Sequence, residues 1–126
     1  MTGYVANIES DTLGNENFRK VLFTGPHSQL VVMNLQAGED IGMEVHNDVD
    51  QFIRIEKGSG KAFLNGEEHE IEEDYAVVVP AGTEHNIVNT GANEMKLYTV
   101  YSPANHPDGT VHKTKADALA DEHDHR

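Results

Sequence analysis

The chain has 126 residues, a length that suits one domain, and folding at this size buries roughly two thirds of the surface an unfolded chain exposes. Nine lysines and arginines against 22 aspartates and glutamates leave a net charge of −13, which repels nucleic acid phosphates and anionic lipid headgroups and argues against nucleic acid or a membrane surface as partner. The absence of cysteine excludes disulfides, thiolate metal sites and cysteine nucleophiles, and no stretch approaches the roughly 18 to 20 apolar residues of a membrane span.

From the N-terminus, Met1 to Ser10 lack the basic flank and apolar run of a signal peptide, so the expected location is cytoplasmic. Short runs rich in β-branched and aromatic residues then follow one another, each closed by Gly, Pro, Asn or Asp, the pattern of an all-β sandwich or barrel. They predict strands over 18–24, 30–36, 51–57, 61–64, 76–79, 86–89 and 95–101. Between 61–64 and a return strand over 67–71 stands Asn65-Gly66, the dipeptide favoured in a two-residue hairpin turn with positive φ. Near the end, Thr114 caps a short predicted helix from Lys115 to Ala120 with Asp117 near its positive pole, and the tail from Asp121 to Arg126 reads as frayed. No repeat or low-complexity linker divides the chain, so residues 1–126 read as one domain with its core over about 18–103 and a polar extension over 104–126.

Chemistry concentrates around two of the eight histidines. Glu44 and His46 stand two apart, and on a strand with a side-chain period of two they leave the same face, where both can reach one metal ion. His85 follows an apolar run and the turn Pro80-Ala81-Gly82, which delivers it to the start of the next strand. Alternation along 51–57 sets Gln51, Ile53 and Ile55 on one face and Phe52, Arg54 and Glu56 on the other, so Gln51 points inward and Asp50 faces out or shapes the turn before it.

These two stretches resemble the paired motifs of the cupin superfamily. The first such motif is glycine, five residues, His, one residue, His, three or four residues, Glu, six residues, glycine; here Gly38, Glu44, His46, Gln51 and Gly58 fall at those positions. The second is glycine, five residues, Pro, one residue, Gly, two residues, His, three residues, Asn; Pro80, Gly82, His85 and Asn89 match it, with Asp74 in place of the glycine. The resemblance implies a double-stranded β-helix, or jelly-roll, barrel, and makes Glu44, His46, Gln51 and His85 the metal ligands, where three histidines and a glutamate are usual. Two imidazoles and a carboxylate are also the ligand set of non-haem iron sites, so one divalent ion is implied, with Fe, Mn, Zn and Ni all open. Pro80, Gly82 and Asn89 read as turn and barrel-closing residues. The resemblance further implies a homodimer.

The other histidines carry weaker readings. His27 and His69 fall in loop or hairpin contexts and are expected at the surface, and His123 and His125 belong to the acidic tail. His106 and His112 lie in a polar, turn-rich segment that reads as a surface loop, with a return toward the barrel mouth as the alternative. In the last strand Leu97, Thr99 and Tyr101 face inward, opposite Lys96, which makes Tyr101 a candidate proton donor. With no serine triad and no glycine-rich phosphate loop, the sequence supports a metal-binding barrel that acts on or binds a small polar molecule, as an oxygenase or isomerase, or alternatively as a non-catalytic ligand-binding or sensing barrel.

Overall fold

The structure, a computed structural model, describes residues 2–121. In chain order its elements are α1 (Ile8–Leu13), β1 (Arg19–Thr24), β2 (Gln29–Leu35), β3 (Asp50–Lys57), β4 (Gly60–Leu64), β5 (Glu67–Ile71), β6 (Ala76–Val79), β7 (His85–Val88), β8 (Met95–Ser102), β9 (Val111–His112) and α2 (Lys115–Ala120). Among the described residues the strands form a six-stranded sheet, ordered β6-β3-β8-β2-β1-β9, and a three-stranded sheet, ordered β5-β4-β7, with antiparallel pairing throughout. All the strands expected from the pattern of apolar residues are present, and the molecule is an all-β barrel with a short C-terminal helix.

Alternation along the strands decides what the barrel encloses. Ile53 and Ile55 of β3, Leu97 and Thr99 of β8, and Val31 and Met33 of β2 are all buried, and the register sets Thr99 between Ile53 and Val31, and Leu97 between Ile55 and Met33. At one end of this layer the row turns polar, because the same register places Gln51 beside Tyr101 and Tyr101 beside Gln29. The Asn65-Gly66 hairpin between β4 and β5 has φ of 49° and 84°, the left-handed pair its sequence predicts.

Three features depart from the sequence reading. The helix α1 was not expected, although Asn7 caps it in the usual way, its Oδ1 accepting from the Ser10 N–H at 3.1 Å. It lies against β8, where the Lys96 ammonium, only 3% exposed, donates to the Leu13 and Asn15 carbonyls at 2.8 and 2.9 Å. Lys96 does face away from the core, but the N-terminal segment covers it. The sheet also extends past residue 103: β9 pairs with β1, so Arg19 stands opposite His112, and part of the polar extension belongs to the barrel. Asp121, expected in a frayed tail, holds the His112 ring, Nε2 to Oδ2 at 2.8 Å, while the rest of that tail, with His123 and His125, lies outside the described residues.

Candidate metal centre

The site is built where an irregular segment runs beside β7. Glu44 and His85 exchange both backbone hydrogen bonds, N to O at 2.9 Å in each direction, so their side chains start as direct neighbours. The segment carrying Glu44 and His46, whose spacing was read with a strand's period of two, is held by isolated bridges at Asp40 and Glu44. His46 is pinned two residues further on, its carbonyl accepting from the Gly82 N–H at 2.7 Å. Gly82 has φ of 85°, a left-handed turn conformation that glycine adopts without steric cost, so the Pro80-Ala81-Gly82 turn fixes His46 on one side and presents His85 on the other. Asp74, where the motif has glycine, adopts the same kind of backbone, with φ of 71°.

One ligand atom from each of Glu44, His46 and His85 lies within 4.8 Å of the others. Glu44 is partly exposed, His46 half-buried and His85 only 1% exposed. Gln51 is inward, as alternation predicts, and 3% exposed; its Oε1 stands 3.0 Å from His85 Nε2 and its Nε2 donates to Thr99 Oγ1 at 3.0 Å. Asp50 is exposed, and its Oδ1 accepts from the Ala81 N–H at 2.8 Å, a turn-shaping contact.

The donor set fits a cation. His85 Nδ1 lies 3.0 Å from the Thr83 carbonyl, which accepts from the ring and leaves a lone pair on Nε2 in the neutral imidazole. That lone pair faces the carbonyl oxygen of Gln51, an arrangement that a cation, or an amide turned to donate its N–H, relieves. The second pair behaves alike: His46 Nε2 is 2.9 Å from Glu44 Oε2, within ion-pair distance, yet it is buried without an aligned hydrogen bond. Two nitrogens and a carboxylate that crowd together without satisfying one another are suited to a shared positive ion.

Electrostatics set the protonation states this requires. Burial pushes the Glu44 carboxyl upward, but the close approach of the His46 ring, with Arg19 and His85 adding, outweighs it and holds the group below its ordinary range. Burial drives the His85 imidazole below its ordinary value, and the neighbouring His46 adds to the effect. At neutral pH Glu44 is thus ionised and His85 neutral, the forms that ligate.

Beside the triad opens a cavity of about 560 Å³, whose walls include Phe18, Arg19, Ile41, Asn105, His106 and Lys115 as well as Glu44 and His46. His106 and His112 are buried, 5% and 4% exposed, so the surface-loop expectation for them fails, whereas His27 and His69 are exposed as expected. His106 is drawn in by Gln29, whose Oε1 accepts from the Asn105 and His106 N–H groups at 3.1 and 3.0 Å while its Nε2 donates to the His106 carbonyl at 2.8 Å, and His112 by the pairing of β9 with β1. Tyr101, buried and inward, has its hydroxyl 3.2 Å from His106 Nε2, and its ring meets those of His46 and His106 edge-on at 6.3 and 5.0 Å. Arg19 is the wall residue that sequence reasoning overlooked. The signal for it was present, since alternation from the inward Val21 of β1 points Arg19 inward as well.

Comparison with known proteins places residues 31–101 under the model described as a cupin domain. The chain is 52% identical to the protein YrkC of Bacillus subtilis strain 168 over 126 residues, covering 94% of this chain and 67% of that one. It is 48% identical over 113 residues to protein L612 of Acanthamoeba polyphaga mimivirus, covering 86% of this chain and 70% of that one. The crystal structure of BH2720 from Bacillus halodurans superposes with a TM-score of 0.92 at 47% identity, covering 94% of both chains.

Proposed function

Since the chain belongs to the cupin domain family, we propose that Glu44, His46 and His85 hold one divalent metal ion, with Gln51 as a neutral fourth donor, and that the protein acts on a small polar molecule entering the adjoining cavity. The observation that carries this reading is the convergence of three ligand atoms within 4.8 Å, from groups whose charge states suit coordination. A bound ion would supply Lewis acidity and, if it is iron, the capacity for oxygen chemistry, which suits an oxygenase or isomerase.

The residues of the chain divide the remaining work. Thr83 and Gln51 bracket the His85 ring through its two nitrogens and keep its orientation. Tyr101 and His106 share a hydrogen bond at the Tyr101 oxygen, where a proton can be held or passed toward a substrate. Phe18 and Ile41 give the cavity apolar walls that limit water around the polar groups. As a homodimer the protein would pair through the outer face of the large sheet, where Val78, 63% exposed, stands beside Phe52 and Phe52 beside Val100.

The deciding experiment is elemental analysis of protein purified without chelator, and again after anaerobic reconstitution with Fe(II). The expected result is about one divalent ion per chain, falling severalfold in His85→Ala while the fold persists by circular dichroism. Metal-free protein from both routes would refute the reading.

A further inference from the structure

Two strands end their sheets with one side unpaired among the described residues: β6 closes the six-stranded sheet and β5 the three-stranded one. The two edges are not alike. β5 carries Glu67, Glu68 and Glu70, all exposed, the kind of charge that guards an open strand against pairing. β6 has no such guard. From Tyr75 to Thr83 the sequence holds no charged residue, and Tyr75 and Val78 are 47% and 63% exposed. An uncharged apolar edge is a template for a further strand.

The backbone shows which groups lie open. Ile55 N–H donates to the Tyr75 carbonyl at 2.9 Å, so Tyr75 is turned toward β3, and in an antiparallel pair every second residue repeats that direction. Val77 and Val79 thus bond to β3, while the N–H and C=O groups of Ala76 and Val78 point away from the sheet. Beside this edge runs a groove of about 260 Å³ between the two sheets, whose walls include Ala62, Leu64, Ile71 and Val77. A strand added to β6 would send alternate side chains into it.

Charge selects the partner. Six carboxylates fall between residues 67 and 74, and the cations near them, Lys61 and Arg54, already pair with Glu68 and Asp74. Glu70 lines the groove, and the exposed Glu72 and Glu73 lead from β5 into β6. A second copy of the chain brings the same carboxylates and a net charge of −13, and is repelled; a basic segment is drawn in.

We infer that the β6 edge docks an extended basic segment of another protein. The segment adds as a further strand: its backbone bonds to Ala76 and Val78, its alternate apolar side chains enter the groove, and its flanking lysines or arginines meet the acidic stretch over 67–74. The site does not depend on the metal centre.

The test uses the full chain and two peptides, acetyl-Lys-Val-Thr-Val-Thr-Val-Lys-amide and its counterpart with glutamate at both ends, titrated by backbone amide NMR. The basic peptide is expected to bind about tenfold tighter or better at about 0.01 M salt, with the preference shrinking toward about 0.5 M, and to shift the Ala76 and Val78 amides most. Val78→Pro deletes one outward N–H and no bond to β3, and is expected to weaken the basic peptide about fivefold or more while circular dichroism is kept. Should that variant fail to fold, Glu72→Lys combined with Glu73→Lys, both exposed, serves instead and is expected to cut the preference about tenfold. Equal affinity for the two peptides, no binding of either, shifts confined to other residues, or affinity unmoved in the folded variants overturns the inference. Sedimentation that shows a dimer dissociated by Val78→Pro but not displaced by the basic peptide assigns the edge to a second copy, and overturns it as well.

Discussion

Replacing Gln51 by leucine separates a polar bracket from a space-filling side chain. Gln51, Thr99 and His85 are 3%, 0% and 1% exposed, so water cannot substitute for a lost partner among them. Leucine nearly conserves volume, but it leaves Thr99 Oγ1 and His85 Nε2 each without the group it meets in the native protein. A stranded buried polar group costs about 1–3 kcal/mol, and two such groups less about 1–2 kcal/mol from leucine's own apolar transfer leave a net loss of about 1–4 kcal/mol. For a chain of this length that corresponds to a fall of roughly 3–12 °C in Tm, read by thermal and urea unfolding with chelator present so that metal binding does not enter. Combining Gln51→Leu with Thr99→Val should give less than the sum of the two losses, with coupling of about 0.5 kcal/mol or more, because both changes delete one hydrogen bond. A loss under about 0.5 kcal/mol with no coupling would refute the bracket and reduce Gln51 to filling.

Two further outcomes follow from other parts of the structure. A Cβ at Gly60 would collide with the Val88 carbonyl oxygen and lie 2.6 Å from the Met95 methyl, and the Val88 backbone is tied into the β4–β7 ladder, so Gly60→Ala should cost about 3 kcal/mol or more in urea unfolding; a native midpoint would show that the ladder yields more easily than its register implies. Because the folded His85 imidazole titrates below its unfolded value of 6.5, the unfolded chain binds more protons just below that pH; metal-free stability should thus be complete above about pH 6.5 and decline as pH falls, with a second decline below about 4.5 as Glu44 protonates. His85→Gln should flatten the first decline and keep the second, and an unchanged profile would mean that His85 does not set it.

The barrel was legible because its strands are half-buried and each carries its own alternation. Ile53 and Ile55, or Leu97 and Thr99, are assigned to the inner face by counting in twos, and the register then confirms them as neighbours. What escaped was held by contacts of long sequence separation. α1 is six residues long and carries a readable cap at Asn7, but nothing local shows that its C-terminal carbonyls meet the Lys96 ammonium more than 80 residues away. β9 is two residues long, too short for any alternation, and exists because β1 offers an edge for it to pair with.

The same division runs through the site. Glu44, His46, Gln51 and His85 could be named from sequence because each lies within a few residues of a turn or strand that sets its direction, and Asp74 shows how closely backbone geometry is kept there, since it takes a left-handed conformation in the glycine's place. The groups that would choose a ligand are of another kind. His106 and Asn105 reach the cavity only because Gln29, 77 and 76 residues away, accepts from both of their amides, and Arg19 is fixed by His112 across 93 residues. Such contacts leave no periodic trace in the chain, so members of one family can keep the local motifs while the segments after β8 and before β1 rebuild the walls. It follows that the local motif geometry should be shared more widely among relatives than the cavity wall, and that the wall outside the motifs is where a difference in ligand would be written.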